Sequence, residues 1–268
     1  MADQASDYDA YQESFHKAFR AELQGILDAL PIPGDGDVLD VPCGNGFYTR
    51  RLTERMGPGG RLTAVDASGE YLRRAREAVA GSKAEVKVRK ANAYKLPFPD
   101  GTFDLVWCAQ SLISLDPDRA VREMFRVVKR SGVVAILEVD EFHHVLLPLP
   151  VELEAAMPLA VQAASLERYG DGKKLAPARG LRRVLKNAKF RCVRRVTYPF
   201  DRAAPFDLHT TAFLKRHVDY LRSFAYPHLP APMQAVFDRV TDPGKAKSLF
   251  RLTDAEVVCI NAVYLASV

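Results

Sequence analysis

A short apolar stretch followed by two closely spaced glycines is the first feature of the sequence that could do chemistry. Residues 38–46 read Val-Leu-Asp-Val-Pro-Cys-Gly-Asn-Gly, with Asp40 in the apolar stretch and Gly44 and Gly46 in the turn. Glycine lets a backbone approach a ligand closely, because no Cβ stands in the way. Asp66 follows twenty residues after Gly46. A carboxylate at that spacing suits hydrogen bonds from two ribose hydroxyls, so the pair indicates a nucleotide-like ligand.

A second group of polar residues could act on the reaction partner of that ligand. His143 and His144 follow a long apolar stretch, and either could take a proton from a hydroxyl or an amine. The alternative is that both belong to a surface loop. His209 and Tyr220 lie further along the chain and are candidates for the same reaction, although an exposed helix face is the alternative for His209 and for His217. Three acids beside the first pair of histidines are candidates of the same kind: Glu138, Asp140 and Glu141.

Strands and amphipathic helices alternate through the first half of the chain and would position these residues. Val121, Met124, Phe125 and Val128 recur at the spacing of one helical face, and 133–139 is apolar except at Glu138, as a strand covered on both faces requires. Such alternation predicts βαβ units and a parallel sheet, whose strands all end at one edge. The predicted fold class is α/β, a doubly wound, mostly parallel, seven-stranded, Rossmann-like sheet with a helical cap. Its first five strands are predicted at 38–41, 61–65, 86–88, 103–109 and 133–139.

The chain is predicted to have three parts. Residues 1–36 form an N-terminal helical cap segment, 37–139 form the ligand-binding core, and 140–268 complete the sheet. Two insertions in the last part, 140–180 and 205–252, are predicted to be helical and to form the cap. Outside the core we predict helices at 15–30, at 151–169 with an interruption at Pro158, and at 179–189, and strands near 193–200 and 256–265.

The core resembles the class I S-adenosylmethionine-dependent methyltransferases, especially their ubiquinone/menaquinone-biosynthesis-like branch. Five sequence blocks carry the resemblance in the order typical of the family, and together they are highly specific. Pro42 stands where the family usually has its first glycine, and Asn92 replaces a common aspartate, but the two glycines nearest the ligand remain. The blocks are 38–46, 65–68, 92–98, 99–104 and 122–129.

The resemblance implies that the cofactor is S-adenosyl-L-methionine and that the chain is a methyltransferase. It places Asp40, Gly44 and Gly46 around the methionine part of the cofactor, with Gln110 near the same end. It also implies that Asp66 binds the ribose hydroxyls.

For the adenine end, the resemblance implies contacts from residues after the second and third strands. Ala67 would lie beside the adenine, Asn92 would meet its amine, and the backbone of Ala93 would meet a ring nitrogen. A tyrosine on the N-terminal helix, Tyr11 or Tyr8, would close over the cofactor. The alternative for both tyrosines is packing of that helix.

The acceptor is harder to predict than the cofactor. Methyl transfer from a sulfonium is an in-line displacement, and holding the acceptor aligned in a dry pocket can supply most of the acceleration. We expect a small-molecule acceptor methylated on O, N or C, with a general base only where the acceptor must lose a proton. The two insertions are predicted to close over the cofactor and form the acceptor pocket, unless their aromatic residues only form a core of their own.

Two other functions stay open at this point. One is an RNA methyltransferase, although no nucleic-acid module and no Asn-Pro-Pro-Tyr-like tetrapeptide follows the fourth strand. The other is a non-catalytic protein that binds S-adenosylmethionine. The intact Gly44, Gly46 and Asp66 argue against the second, but do not exclude it.

Charge and composition limit the binding partners and the cellular location that we expect for this protein. The net charge is +5 and basic residues are densest at 173–195, where no aromatic side chains are interleaved to stack on bases, so we predict no nucleic-acid partner. No apolar stretch reaches the roughly 18 residues of a membrane helix, and the first residues are not a secretion leader, so we predict a cytoplasmic protein without membrane association. The four cysteines are far apart, and no metal site is predicted. The oligomeric state stays open.

Overall fold

The structure is a computed structural model that describes residues 2–139, 145–171 and 177–268, with side chains from Asp9 onward. The chain divides into two compact units. We call Gln24–Val139, Pro177–Tyr198 and Asn261–Val268 the sheet unit. We call Met1–Leu23, Asp140–Ala176 and Pro199–Ile260 the helical unit. Whether the predicted parts 1–36, 37–139 and 140–268 have separate roles stays a prediction.

The elements alternate between helix and strand through the first half of the chain. The helices are α1 Ala2–Ala18, α2 Arg20–Asp28, α3 Phe47–Thr53, α4 Gly69–Ala78, α5 Pro117–Val127, α6 Val151–Tyr169, α7 Pro177–Asn187, α8 Leu208–Phe224 and α9 Ala231–Thr241, with a 3-10 turn at Tyr226–His228. The strands are β1 Asp37–Asp40, β2 Arg61–Asp66, β3 Glu85–Lys90, β4 Phe103–Ala109, β5 Val128–Glu138, β6 Val145–Leu146, β7 Cys192–Ala203 and β8 Glu256–Ser267.

The described strands form a mostly parallel sheet in the order β3-β2-β1-β4-β5-β8-β6, and β7 also pairs with β8. The first five strands of this order are parallel to one another, whereas β8 runs antiparallel to β5 and β6. The doubly wound α/β fold predicted from the sequence is confirmed. The described sheet has one strand more than the seven predicted. The additional strand is β6, whose two residues are too few to form a recognisable sequence pattern.

The core of the sheet unit follows from the apolar patterns of its elements. Six of the seven residues of β4 are buried, because helices cover this central strand on both faces. Helix α5 buries Ala120, Val121, Met124 and Val127, at spacings of one, three and three residues, which place them on one helical face. Asp116 caps this helix by accepting a hydrogen bond from the backbone N–H of residue 119. Strands β1–β5 are parallel, so their carboxyl ends lie at one edge of the sheet, which we call the carboxyl edge.

The helical unit is built from helices that are distant in sequence. Helix α1 packs against α8, and α6 packs against α9. The predicted interruption at Pro158 is wrong, because α6 continues through it and loses only the hydrogen bond that a proline nitrogen cannot donate. The helix predicted at 15–30 is instead the end of α1 and the whole of α2, with a break at Phe19. No helix among the described residues is both long and apolar enough to cross a membrane.

Candidate functional site

The glycine loop, residues 41–46, joins the end of β1 to the start of α3. Both glycines have left-handed backbone conformations, with φ of +52° at Gly44 and +84° at Gly46. A Cβ at Gly46 would lie 2.7 Å from the Cα of Ala75, so this glycine is required by its packing against α4. A Cβ at Gly44 would meet nothing within 4 Å. The packing against α4 accounts for glycine at position 46, whereas Gly44 has open space beside it, and the role of both glycines in ligand approach stays a prediction.

Asp66 ends β2 and links the glycine loop to α4. One carboxylate oxygen accepts a hydrogen bond from the backbone N–H of Gly44 at 3.0 Å, and the other accepts from that of Ser68 at 2.8 Å. The hydroxyl of Ser68 in turn caps α4 by accepting from the N–H of Tyr71 at 3.3 Å, as the sequence predicts. A carboxylate has about four acceptor sites, so two remain for a pair of hydroxyls.

Asp40 is the second acid of this edge and is almost fully buried. Its carboxylate accepts a hydrogen bond of 2.6 Å from the hydroxyl of Thr49, in α3. Burial raises the pKa of Asp40 to about 7, the Thr49 hydrogen bond lowers it, and the nearby Asp66 carboxylate adds to the rise. A cationic ligand group would relieve this cost, because it favours the charged form of the acid. Sequence reasoning missed Thr49, whose signal is its place one helical turn after Gly46.

Gln110 follows β4 and has an unusual backbone conformation. Its φ is +50°, a region that non-glycine residues rarely adopt, and its N–H donates to the carbonyl of Leu137 at 2.8 Å. Its side-chain oxygen accepts a hydrogen bond of 3.2 Å from the hydroxyl of Tyr48, the second residue of α3. The structure thus brings Gln110 beside the helix that starts at the glycine loop.

Glu138 fixes the segment after Gln110. Its Oε1 accepts from the backbone N–H groups of Ser111 and Leu112 at 2.8 and 2.7 Å. Burial raises the pKa of this carboxyl to about 7, while these hydrogen bonds oppose the rise. With Oε1 held by two backbone groups at 1% exposure, Glu138 fixes the loop and is not a surface residue, while its role as a proton acceptor stays a prediction.

Three residues predicted for the adenine end lie where β2 and β3 finish. Ala67 is exposed directly after β2, and Ala93 is partly buried shortly after β3. Asn92 is exposed, and its side-chain oxygen accepts from the N–H of Tyr94 at 2.9 Å. This hydrogen bond leaves the amide N–H₂ and one acceptor site of Asn92 free for a ligand.

The helical unit contains an aromatic cluster, which consists of Tyr11, Phe213, His217 and Tyr220. The Tyr11 hydroxyl and Nδ1 of His217 are 3.0 Å apart, and the rings of Tyr11 and Tyr220 have centroids 5.7 Å apart. Burial lowers the pKa of His217 to about 4, so this ring is neutral and its Nδ1 can accept a hydrogen bond from the Tyr11 hydroxyl. The expectation of an exposed face is wrong for His217, which is only 6% exposed.

Among the other predicted acceptor-side histidines, only His209 lies within the described residues, and it is not part of this cluster. His209 is exposed in the first turn of α8. His143 and His144 lie outside the described residues, as do Asp140 and Glu141. Within the described ranges, no three His, Cys, Asp or Glu side chains are grouped so that they could hold a metal ion.

Comparison with known families and curated proteins finds similarity to methyltransferases in each case. Residues 39–136 match the model of a family described as a methyltransferase domain. The chain is 39% identical over 115 residues to a ubiquinone/menaquinone biosynthesis C-methyltransferase of Pasteurella multocida, over 42% of this chain and 43% of the relative. It is 37% identical over 129 residues to a demethylmenaquinone methyltransferase of Bacillus cytotoxicus, over 47% and 53% respectively. The chain therefore spans about half the length of the curated relatives it matches.

Solved structures extend the likeness of the fold to most of the chain. The YcgJ protein of Bacillus subtilis superposes with a TM-score of 0.56 at 14% identity, over 92% of this chain and 98% of that one. A SAM-dependent methyltransferase of Aquifex aeolicus superposes with a TM-score of 0.51 at 24% identity, over 69% and 91%. At these identities the likeness establishes the fold alone.

Proposed function

We propose that this chain, in which residues 39–136 are a class I S-adenosylmethionine-dependent methyltransferase domain, transfers a methyl group from that cofactor to a small molecule. The observation that carries the proposal is the carboxylate of Asp66. It is held at the carboxyl edge by the backbone of Gly44 and Ser68, with acceptor sites left for two ribose hydroxyls.

Residues at the carboxyl edge are suited to bind the methionine end and the ribose of the cofactor. Gly44 leaves space beside the loop, and the buried Asp40 favours the cationic methionine end, where Gln110 is proposed to lie as well. Asp66 would bind the ribose. Gly46 is proposed to lie beside the methionine part together with Gly44, and its packing against α4 shapes the loop.

The adenine end would be bound at the finish of β2 and β3. Ala67 would lie against the ring, Asn92 would accept from its amine, and the backbone of Ala93 would meet a ring nitrogen. When bound, the cofactor supplies a methyl group on a positively charged sulfur. The task left to the chain is to orient the acceptor and exclude water, so no covalent contribution from a side chain is required.

The test of this function is transfer of a labelled methyl group. The purified protein is incubated with S-adenosylmethionine carrying a trideuterated methyl group, and either with demethylmenaquinone, oxidised or reduced, or with a small-molecule extract of cells. We expect a product whose mass rises by one labelled methyl group, and that Asp66→Ala forms much less of it at the same cofactor concentration. Tight cofactor binding without any labelled product from either source would favour a non-catalytic binding protein.

The acceptor itself is proposed to be bound by residues outside 39–136. Tyr220, His209, His143 and His144 are the proposed acceptor-side residues, and Tyr11 is proposed to close over the cofactor. Alanine at each of the first four should lower turnover while affinity for S-adenosylmethionine is retained. If all four variants keep full activity, the acceptor is bound elsewhere.

We also propose that the protein works in the cytoplasm without nucleic acid. The basic residues near 173–195 motivate a direct test, which is titration with RNA at several salt concentrations. Binding through several phosphates would weaken steeply with salt. Submicromolar RNA binding at physiological salt would instead support an RNA methyltransferase.

A further inference from the structure

Asn261, in β8, is a polar side chain buried within the sheet unit. It is 0% exposed, and neither its oxygen nor its nitrogen has a hydrogen-bond partner among the residues that the structure describes. A buried amide without partners costs free energy, and native proteins usually satisfy such groups. The residue was not a candidate in the sequence, because one asparagine in an apolar strand carries no pattern.

The strand register places Asn261 at the carboxyl edge. Its neighbour Ala262 pairs with Glu138, the last residue of β5, so Asn261 lies level with the end of the parallel strands. Ala262 belongs to the apolar core on one face of the sheet, and strand alternation puts Asn261 on the opposite face. The same opposite face carries Trp107, which pairs with Asp40 across β4 and β1.

The strand order separates Asn261 from the residues proposed for the cofactor. Those residues follow β1, β2, β3 and β4, whereas β8 lies beyond β5 at the other side of this edge. A group placed here would meet what stands beyond the methionine end of the cofactor, and that is the acceptor.

We infer that the amide of Asn261 binds the methyl acceptor, through a hydroxyl or carbonyl oxygen next to the atom that is methylated. A primary amide offers both a donor and an acceptor, so it can pair with a neutral oxygen group in either role. The inference rests on the proposed function. Asn261 acts in it as a positioning residue, which holds the acceptor and takes no proton.

The experiment compares Asn261→Leu with a matched control. Leucine has a similar size and no polar atoms, so it removes the amide and leaves no cavity. The control is Ser82→Ala, because the buried hydroxyl oxygen of Ser82 also lacks a partner among the described residues, and Ser82 precedes β3 at the opposite edge.

Three measurements are made on each variant: the melting temperature of the free protein, the affinity for S-adenosylmethionine, and KM for demethylmenaquinone or for the extract fraction that the wild type methylates. For Asn261→Leu we expect a melting temperature raised by about 2–4 °C, because an unpaired buried amide is removed. We expect unchanged cofactor affinity and a KM raised roughly tenfold through the lost hydrogen bonds. Ser82→Ala should leave both affinity and KM unchanged.

Other outcomes overturn the inference. A lower melting temperature of Asn261→Leu, as the loss of a water-bridged structural amide would give, contradicts it, and so does a loss of cofactor affinity. An active wild type with unchanged KM in the variant refutes the inference alone. A wild type that binds no S-adenosylmethionine refutes the proposed function, and the melting temperatures still decide whether the amide is unpaired in the free protein.

Discussion

The glycine loop of the sheet unit and the aromatic cluster of the helical unit hold their polar groups by different means. At the glycine loop, the Asp66 carboxylate is fixed by backbone N–H groups of the residues that follow two neighbouring strands. In the aromatic cluster, the Tyr11 hydroxyl is fixed by His217, a side chain 206 positions away in sequence. The first arrangement depends on local backbone geometry and the second on the packing of two helices. The two regions should therefore respond differently to substitution and to pH.

The largest effect is expected from removal of the acid that the backbone holds. Asp66→Ala should weaken binding of S-adenosylmethionine roughly 100-fold, because two hydrogen bonds to a charged group are lost at about 1.5 kcal/mol each. Isothermal titration calorimetry measures this. Asp116→Ala, which removes a helix-capping acid, is the control and should keep full affinity. Unchanged affinity in Asp66→Ala would show that Asp66 does not bind the ribose. The glycine loop would then have no evidence for a ligand role to set against the aromatic cluster.

Alanine substitutions at Gly44 and Gly46 distinguish a glycine that is needed for packing from one that has open space beside it. Gly46→Ala should lower the free energy of unfolding by about 3 kcal/mol, because the new Cβ clashes with Ala75 and the left-handed conformation becomes strained. Gly44→Ala has only the conformational strain and should lose about 1 kcal/mol. Urea denaturation of both variants gives the difference. Equal losses would mean that packing against α4 does not distinguish the two positions.

The aromatic cluster should lose stability in acid. The folded-state pKa of His217 is about 4, below its ordinary value of 6.5, so its contribution to stability is complete above pH 6.5 and is lost as the pH falls towards 4. At pH 5 the loss should be about 2 kcal/mol. The measurement is the free energy of unfolding of the wild type and of His217→Gln from pH 7.5 to pH 5. Parallel curves for the two proteins would contradict the burial of a neutral histidine.

The ligand affinity of the glycine loop should also rise with pH, but around pH 7 rather than between pH 4 and pH 6.5. Asp40 has its pKa raised to about 7, and the cationic end of the cofactor favours its ionised form, so binding should tighten as the pH rises through 7. The expected gain between pH 6 and pH 8 is about tenfold, after division by the same ratio for Asp40→Asn. This division removes the titration of the ligand itself. A ratio independent of pH would place Asp40 away from the cationic group.

The contrast between the regions also explains what the sequence could predict. The ends of β1 and β2, the two glycines, Asp66 and the Ser68 cap lie within thirty-one residues, 38–68, and local chemistry fixes each of them. They could be predicted because a turn with φ above zero needs glycine and a helix start needs a cap. Their assignment to parts of the cofactor stays a prediction.

The features that sequence reasoning missed depend on contacts between distant segments. The hydrogen bond between Tyr11 and His217, and the burial of His217, follow from the packing of α1 on α8. The continuation of α6 through Pro158 likewise depends on tertiary packing, which outweighs the local preference of proline to end a helix. Asn261 has a role in our inference only because the register of β8 against β5 puts it at the carboxyl edge.

The left-handed conformation of Gln110 carries a consequence for protein engineering. Glycine would adopt a φ of +50° without strain, so Gln110→Gly should relieve about 1 kcal/mol of backbone strain. The same change would remove the side chain that accepts the hydrogen bond from Tyr48 beside the glycine loop. The backbone conformation therefore favours glycine at this position, whereas the hydrogen bond to Tyr48 and the proposed place beside the cofactor favour glutamine. Gln110 is thus a position where stability and activity are expected to be optimised by different residues.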